Sequence, residues 1–322
     1  MLLSLSPKII EDQISKNFIE YQDLFIQFQS NFITGLYKRY QGVENGSLVL
    51  YFAQQAHQEI LRKKDYDFNF NIGFEKFWEN HALIVPDKKS IDKIASSTSL
   101  PKETARRKIL QLIQQKVLSK KNKNTGWLPN EQYKESYNLI VQKEIEDLSS
   151  LLNYICKKVN ISISEEKVED ELKEKFNFYW FHFISTQLEY LKIWSAQIKD
   201  LELVLIGLQV TNIFALKPKD NNLSHEKIYN SSSIIKTFGG ASINAASVSE
   251  ITGIPRATCI RKLRHLVKLK MIKQDTVSKR YYLSPVSVSK ELISKQTAQK
   301  ITKTFSKFYF ICLRGITSKF LS

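Results

Sequence analysis

The chain has 322 residues, 43% of them hydrophobic, which is enough apolar material to build packed cores in two ordinary domains. Its formal net charge of +16 favours a polyanionic partner, either nucleic acid or an anionic membrane surface. Three scattered cysteines exclude a disulfide framework and are typical of reduced thiols in a cytosolic protein. Only 10 glycines and 7 prolines interrupt the long periodic segments, so the sequence predicts a mainly helical fold.

The start of the chain, residues 1–10, contains neither a charged n-region nor a sustained apolar stretch. It does not predict a signal peptide, and we expect a cytoplasmic location. One or two aromatic-rich helices are expected to follow, before a shorter helical pattern begins at residue 90.

Residues 90–118 predict two short helices joined by a polar turn. Ser90 can cap the first helix, and Ser99 can cap the second, where Pro101 fits the first helical position because it needs no backbone N–H. At 100° per residue, the polar side chains of the second helix lie opposite to its apolar side or beside the helix start. These outward residues are Lys102, Glu103, Thr104, Arg106, Arg107 and Gln114.

A short basic hairpin is expected after this helix pair. Because such a hairpin usually lies along a sugar-phosphate backbone, Lys121 and Lys123 are candidate phosphate contacts. A closing helix over about 130–158 follows the hairpin, and the Glu- and Lys-rich stretch 157–175 predicts a connector or a solvated helix.

Apolar and aromatic segments occupy the middle of the chain. The aromatic run 176–183 predicts a buried helix. The apolar run 201–216 is shorter than the ~20 residues that span a bilayer and contains Glu202, so we expect another buried helix there and no membrane partner. Residues 217–233 have the composition of a loop.

Residues 246–272 predict a second pair of short helices, again followed by a basic hairpin. Gly253 lies in the turn between the helices, where it can adopt a positive φ angle. A closing helix is expected at about 285–316. The outward residues of the second helix and of the hairpin are Arg256, Thr258, Arg261, Lys262, Arg264, Lys279 and Arg280.

The two helix pairs are copies of one pattern. Residues 101–118 align with 255–272 at an offset of 154 without a gap. Both stretches begin with Pro and a basic residue, carry Thr at the fourth position and Arg-Lys at the seventh and eighth, and match in their apolar spacing. Weaker matches extend outward at offsets of 151 to 156. The sequence therefore predicts an internal duplication with pseudo-two-fold character, with repeats over 1–156 and 157–322.

The charge is concentrated on these two copies. Residues 101–123 contain 8 basic and one acidic residue, and residues 255–280 contain 9 basic and one acidic. Residues 141–175, by contrast, contain 9 acidic and 6 basic residues. This distribution favours nucleic acid over a membrane surface as the partner.

Both copies resemble the winged helix-turn-helix regulators, in particular the MarR and IclR families. The likeness lies in SIDKIASSTSLPKETARRKILQLIQQKVL and SEITGIPRATCIRKLRHLVKLKMI and covers about 45 residues of each repeat, with winged helices at about 88–130 and 240–286. In MarR proteins the outer helices form the dimer interface, so the resemblance implies a single-chain pseudo-dimer. It also implies DNA contacts at Lys102, Thr104, Arg106, Arg107, Arg256, Thr258 and Arg261.

The two copies differ in the turn between the helices and on the second helix. Ser99 stands where the second copy has the turn glycine, Glu103 matches Ala257, and Arg106 matches Ile260. We therefore expect either that the two copies read different half-sites or that one copy binds DNA weakly.

The sequence favours a sequence-specific, double-stranded DNA-binding transcriptional regulator. A plasmid-type replication initiator with two winged helices is the first alternative, and winged helices used as a protein-docking scaffold are the second. No glycine-rich phosphate loop, nucleophile elbow or HExxH motif occurs, and the five histidines show no ligand spacing, so we expect no enzyme, metal or cofactor. A small-molecule effector and further homodimerisation are left open.

Overall fold

The computed structural model of the chain describes residues 5–64, 72–215, 242–283 and 295–320. Across these residues the fold is mainly helical, as the sequence predicts, and the only sheets are two small antiparallel hairpins. The predicted loop at 217–233 and the start of the last closing helix, 285–294, lie outside the described residues.

The described ranges contain twelve α-helices and four short strands. The helices are α1 (Pro7–Lys16), α2 (Phe18–Tyr40), α3 (Val43–Lys64), α4 (Ile91–Thr98), α5 (Lys102–Gln114), α6 (Lys134–Lys158), α7 (Glu165–Glu174), α8 (Phe176–Ile198), α9 (Leu201–Ala215), α10 (Ala245–Thr252), α11 (Arg256–Lys268) and α12 (Lys295–Phe320). The strands are β1 (Leu118–Ser119), β2 (Leu128–Pro129), β3 (Ile272–Gln274) and β4 (Tyr281–Leu283). The helices α6 and α12 lie in the segments where closing helices are expected. The helix α7 lies in the stretch for which the sequence predicts a connector or a solvated helix, and its residues Val168 and Leu172 are buried.

Two compact units alternate along the chain. Unit 1 contains Met1–Gln13, Glu44–Ala196 and Lys303–Ser322, and unit 2 contains Ile14–Val43 and Gln197–Thr302. These bounds differ from the repeat boundary expected at 156/157, because each unit includes segments from both halves of the sequence.

The core of unit 1 is built around the aromatic side chains of α8. Phe176, Trp180 and Phe183 are buried, and their rings contact one another along one face of the helix, with centroids 5.1 Å apart for the first pair and 4.6 Å for the second. The aromatic run at 176–183 therefore lies in a helix that buries Phe176, Trp180 and Phe183, whereas Phe178 is exposed. Such rings bury large apolar areas and give the unit its main hydrophobic stabilisation.

A buried carboxylate links α7, α8 and α12 within unit 1. Glu171 is fully buried and accepts a 2.8 Å hydrogen bond from Tyr179 Oη and a 2.7 Å one from Lys175 Nζ. Lys319 Nζ lies 3.2 Å from the other carboxylate oxygen. Gly315 makes this arrangement possible, because an added Cβ would lie 1.9 Å from Tyr179 Oη. The buried charge is thus compensated by two hydrogen-bond donors and by the nearby ammonium of Lys319.

Unit 2 has α2 and α9 at its centre. The predicted apolar helix at 201–216 is α9, and its residues Leu205 and Ile206 are fully buried. Gln209, also buried, donates hydrogen bonds from Nε2 to Ser30 Oγ at 2.8 Å and to Thr34 Oγ1 at 3.2 Å, so its amide remains satisfied inside the apolar contact. Among the described helices, none combines the length and the apolar character needed to cross a bilayer.

Candidate nucleic-acid interface

The residues of interest lie in two segments of the same layout. The first helix–hairpin segment, residues 90–129, contains α4, α5, β1 and β2, and it belongs to unit 1. The second helix–hairpin segment, residues 244–283, contains α10, α11, β3 and β4, and it belongs to unit 2. Each compact unit therefore carries one such segment.

The turn between the two helices has the same backbone geometry in both segments. Ser99 and Gly253 both adopt the left-handed conformation, with φ angles of 56° and 77°. Pro101 and Pro255 follow as N-caps of α5 and α11, with φ of −56° and −53°. The expected role of Ser99 as an N-cap is wrong: it is the C-cap of α4, where Leu100 N–H bonds back to the carbonyl of Ala95.

The first helix of each pair begins with a side-chain cap. Ser90 Oγ accepts a hydrogen bond from the backbone N–H of Lys93 at 3.3 Å, as the sequence predicts. Asn244 Oδ1 accepts one from the backbone N–H of Ser247 at 2.8 Å. Both caps satisfy an orphan donor of the first helical turn and so fix where the helix starts.

The two segments remain alike in backbone geometry after the second helix. Lys116 and Lys270, 154 residues apart, are both left-handed, with φ angles of 57° and 59°. An isolated bridge also precedes each helix pair and joins it to the hairpin: Asp87 pairs with Thr125, and Ile243 pairs with Tyr281. Each hairpin thus has a third, one-residue strand beside it, in the same order along the chain.

The Lys of the repeated Arg-Lys pair forms a similar contact in both segments. Lys108 Nζ lies 3.2 Å from Asn45 Oδ1 and 3.1 Å from a carboxylate oxygen of Glu44. Lys262 Nζ lies 2.6 Å from Asp200 Oδ2 and 3.0 Å from Glu202 Oε2. In both cases the lysine of the second helix reaches the start of an earlier helix in its own unit, α3 or α9.

The outward orientation expected for Lys262 is therefore wrong. Its side chain is buried, because the two carboxylates of α9 and the loop before it compensate the ammonium inside unit 2. Helical periodicity alone did not predict this orientation, because a lysine can lie on the buried side where a carboxylate meets it. The alignment of the two copies did contain a signal, because it shows a lysine at this position in both, Lys108 and Lys262.

The exposed face of α5 contains basic and acidic residues together. Lys102, Arg106 and Arg107 are exposed, as predicted, whereas Ala105 and the apolar residues after it face the core. Lys102 Nζ lies 2.9 Å from Asp92 Oδ1, and Arg106 Nη1 lies 3.8 Å from Glu103 Oε2. The cations of this face are therefore partly neutralised by acids of the same segment.

The exposed face of α11 contains basic residues and no acidic one. Arg256, Arg261 and Arg264 are exposed, as predicted, and the helix contains no acidic residue. Cys259 lies at the position of Ala105 and is fully buried. The face of α11 thus presents three guanidinium groups that are available to an anion.

The two matched threonines are half-buried at the start of their helices. Thr104 and Thr258 lie next to Ala105 and Cys259, the first core residues of α5 and α11. Their hydroxyl groups are therefore held near the helix N-termini, where partial positive charge attracts an anion. They are less accessible than the neighbouring arginines.

The first hairpin has a loop rich in lysine and asparagine. Lys121 and Lys123 are exposed at its tip, as predicted. Lys120 Nζ lies 4.3 Å above the ring of Trp127, which orders the lysine against the returning strand. Partial burial, and then the charge of Lys88, lowers the pKa of Lys120. The loop is thus a region of concentrated positive charge.

The second hairpin is held by an aspartate in its turn. Asp275 Oδ1 accepts hydrogen bonds from Ser278 N–H at 2.6 Å and from Val277 N–H at 3.1 Å, and these bonds, with the Ser278 hydroxyl, lower the pKa of its carboxyl. Lys279 is exposed beside it. Arg280 donates from Nε to Ser242 Oγ at 2.9 Å and from Nη2 to the Ser242 carbonyl at 2.6 Å. Arg280 therefore stabilises the strand edge, in addition to its predicted exposure.

A cavity of about 180 Å³ lies between α4, α5 and the first hairpin. It is comparable in size with cavities that admit a single benzene-sized molecule. Its lining contains both apolar and basic residues. The apolar ones include Ile94, Ile109, Ile113 and Trp127, and the basic ones include Lys88, Lys89, Arg106 and Lys120.

The three cysteines do not contribute to the exposed faces of α5 and α11. Cys156, Cys259 and Cys312 are all buried and free, and burial raises the pKa of Cys156 to about 12, so its thiol stays protonated at neutral pH. Across the described residues, no three His, Cys, Asp or Glu side chains are grouped as metal ligands would be.

Comparison of the chain with protein-family models, with curated proteins and with solved structures found no match.

Proposed function

We propose that this chain binds double-stranded DNA through two winged helix-turn-helix segments and acts as a transcriptional regulator. The observation that carries the proposal is the recurrence of one arrangement: a capped helix, a left-handed turn, a proline, a second helix with an exposed basic face, and a hairpin. This is the order of elements in a winged helix, in which the second helix is the recognition helix and the hairpin is the wing.

The second helix of each segment has the properties of a recognition helix. Its apolar side is buried in its own unit, whereas exposed arginines occupy the first turns, which are the turns that enter a major groove. Arg107 and Arg261 are at matched positions and are both exposed. An arginine there can bind guanine O6 and N7 in a bidentate manner, or a phosphate.

The hairpins fit the role of wings. Lys121 and Lys123 in the first, and Lys279 in the second, are exposed on short loops that follow directly after the recognition helices. Lysines on such loops contact phosphates rather than base edges, so they supply affinity that depends on salt concentration.

The repeated contacts of Lys108 and Lys262 support the proposal of an internal duplication. Their positions differ by 154 residues, which is the offset of the sequence repeat, and each bonds to the start of the preceding helix. A chain with two recognition helices would bind DNA as a single-chain pseudo-dimer and read a site with two halves.

Titration of a fluorescent duplex, first selected from a random DNA pool by its binding to the full chain, tests the proposal. The double variant Arg107→Ala/Arg261→Ala should bind about 100-fold more weakly than the parent, since a good arginine contact is worth roughly tenfold or more. A matched control, Lys134→Ala/Lys157→Ala, removes the same charge from exposed positions of α6 and should change the affinity little. Equal affinities for the parent and the arginine double variant, at physiological salt, would refute the proposal.

A further inference from the structure

The two recognition faces differ in charge at matched positions. Glu103, 81% exposed at the centre of the outer face of α5, aligns with Ala257 of α11 at the offset of 154. Asp92 on α4 is 67% exposed and aligns with Ala246 on α10. Both acids of the first segment therefore stand where the second segment has alanine.

These two acids engage the cations that would meet DNA. Asp92 lies 2.9 Å from the ammonium of Lys102, and Glu103 lies 3.8 Å from the guanidinium of Arg106. A phosphate that approaches Lys102 or Arg106 must displace the carboxylate that is paired with that cation. The same carboxylate repels the phosphate as it approaches. The opposing charge reduces the attraction of this face for a polyanion.

The corresponding face of the second segment has the opposite character. Arg256, Arg261 and Arg264 are exposed, and among the described residues none of the three is joined to a carboxylate by an ion pair. The position of Arg264 is taken in the first segment by Leu110, an exposed apolar residue. The second face therefore carries more uncompensated positive charge than the first.

We infer that the second helix–hairpin segment supplies most of the phosphate binding, and that Asp92 and Glu103 lower the affinity of the first segment for DNA. The inference rests on the proposed function, because it assigns unequal shares of that DNA binding to the two segments. A single-chain pseudo-dimer with these faces binds DNA firmly at one half-site, and the other half-site is bound weakly enough to exchange.

A different role for Glu103 makes an opposite prediction. A carboxylate in the major groove can accept a hydrogen bond from cytosine N4, and in that role Glu103 would strengthen binding to one base pair. Removal of the carboxylate would then weaken binding to the preferred duplex and relax its sequence at one position. The two roles are therefore distinguished by the sign of the change in affinity.

A reciprocal exchange of charge tests the inference. Glu103→Ala should raise the affinity for duplex DNA about fivefold at roughly 50 mM salt, and Ala257→Glu should lower it by a similar factor, because one charge near a phosphate has about that effect and is screened by salt. Both changes should shrink toward zero at about 0.5 M salt. Glu189→Ala, an exposed acid on α8, is the matched control and should leave the affinity unchanged.

The salt dependence of binding measures the share of each segment. The triple variant Arg256→Ala/Arg261→Ala/Arg264→Ala should reduce the slope of log K against log salt by about 2 to 3, since each lost phosphate contact removes roughly 0.9. Lys102→Ala/Arg106→Ala/Arg107→Ala removes the same charge and should reduce the slope by less than about 1. Equal losses of slope, or a Glu103→Ala variant that binds more weakly, would overturn the inference while DNA binding by the parent stands. If the parent does not bind duplex DNA, the proposed function fails with it.

Discussion

Lys262 places its ammonium 2.6 Å from a carboxylate oxygen of Asp200, inside unit 2 and away from the exposed face of α11. Its neighbour Arg261 lies on that exposed face. Two adjacent basic residues of one helix therefore have different tasks: the lysine fixes the helix to the start of α9, and the arginine remains available to a partner.

Substitution of Lys262 separates these tasks. Lys262→Ala leaves the carboxylates of Asp200 and Glu202 without their buried partner and should lower the free energy of unfolding by about 1–3 kcal/mol, as measured by chemical denaturation. Lys268→Ala, an exposed lysine of the same helix, is the control and should change stability by less than about 0.5 kcal/mol.

DNA affinity, measured well below the unfolding temperature, should respond in the reverse order. Lys262→Ala should keep the affinity of the parent, whereas Arg261→Ala should lower it. A Lys262→Ala variant of full stability with impaired DNA binding would contradict the positions assigned to both residues.

The left-handed turn residues Ser99 and Gly253 give a second prediction, in which the change in stability has opposite signs in the two segments. Gly253→Ala should destabilise the protein by about 1 kcal/mol, because its φ of 77° is costly for a residue with a Cβ. Ser99→Gly should stabilise it by up to about 1 kcal/mol, because serine pays that cost at φ 56° in the native chain. Thermal unfolding of both variants is the measurement, and a shift of the same sign in both would contradict this account.

Turn chemistry was predictable in one copy and less so in the other. Gly253 predicts its positive φ by its residue type alone. Ser99 also suits an N-cap, which is the role that the sequence favours, and only the backbone assigns it to the C-cap of α4. Pro101 has an extended ψ of 142° and is itself the N-cap, so α5 begins at Lys102 and not at the proline as the sequence suggests.

The close approach of α12 to α8 gives a third prediction. Gly315→Ala should be strongly destabilising, by about 2 kcal/mol or more, because the added methyl group overlaps Tyr179 Oη, which is itself held by Glu171. Gly207→Ala is the matched control, since Gly207 is also helical and has nothing within 4 Å of the added Cβ; it should be neutral or stabilising. Denaturation midpoints of the two variants decide the matter, and equal midpoints would show that Tyr179 does not contact Gly315.

Burial of His57 predicts how stability depends on pH. Asn177 donates from Nδ2 to the Ile72 carbonyl, so its Oδ1 faces His57 Nδ1 at 2.8 Å and the Nδ1–H is the donor. Burial lowers the pKa of His57 from 6.5 to about 4, against the smaller effect of this hydrogen bond. As the pH falls below 6.5, His57 becomes protonated in the unfolded chain but stays neutral in the folded chain. The free energy of unfolding therefore decreases between pH 6.5 and 4.

The expected loss from His57 over this window is roughly 3 kcal/mol, at about 1.36 kcal/mol for each unit of pKa difference. Unfolding free energies of the parent and of His57→Gln should therefore converge as the pH is lowered toward 4. Parallel curves for the two proteins would show that His57 titrates normally in the folded state.

The general helical character and the two basic helices follow from the sequence, because periodicity and caps are local properties. The burial of Lys262 and the hydrogen bonds from Arg280 to Ser242 do not follow from the sequence, because the partner residues lie 62 and 38 positions away along the chain. The cation–π contact of Lys120 with Trp127 could not be predicted from the periodicity of the sequence either, because it depends on the register of the first hairpin. The role of a charged residue can be assigned only when the position of its partner is known.

The most direct test of the central claim is selection of bound duplexes from a random DNA pool by the full chain, followed by sequencing. Two DNA-reading segments of unequal charge predict an enriched site with two parts, one strongly and one weakly specified. A pool that shows no enrichment over its starting composition would contradict sequence-specific DNA binding by this chain.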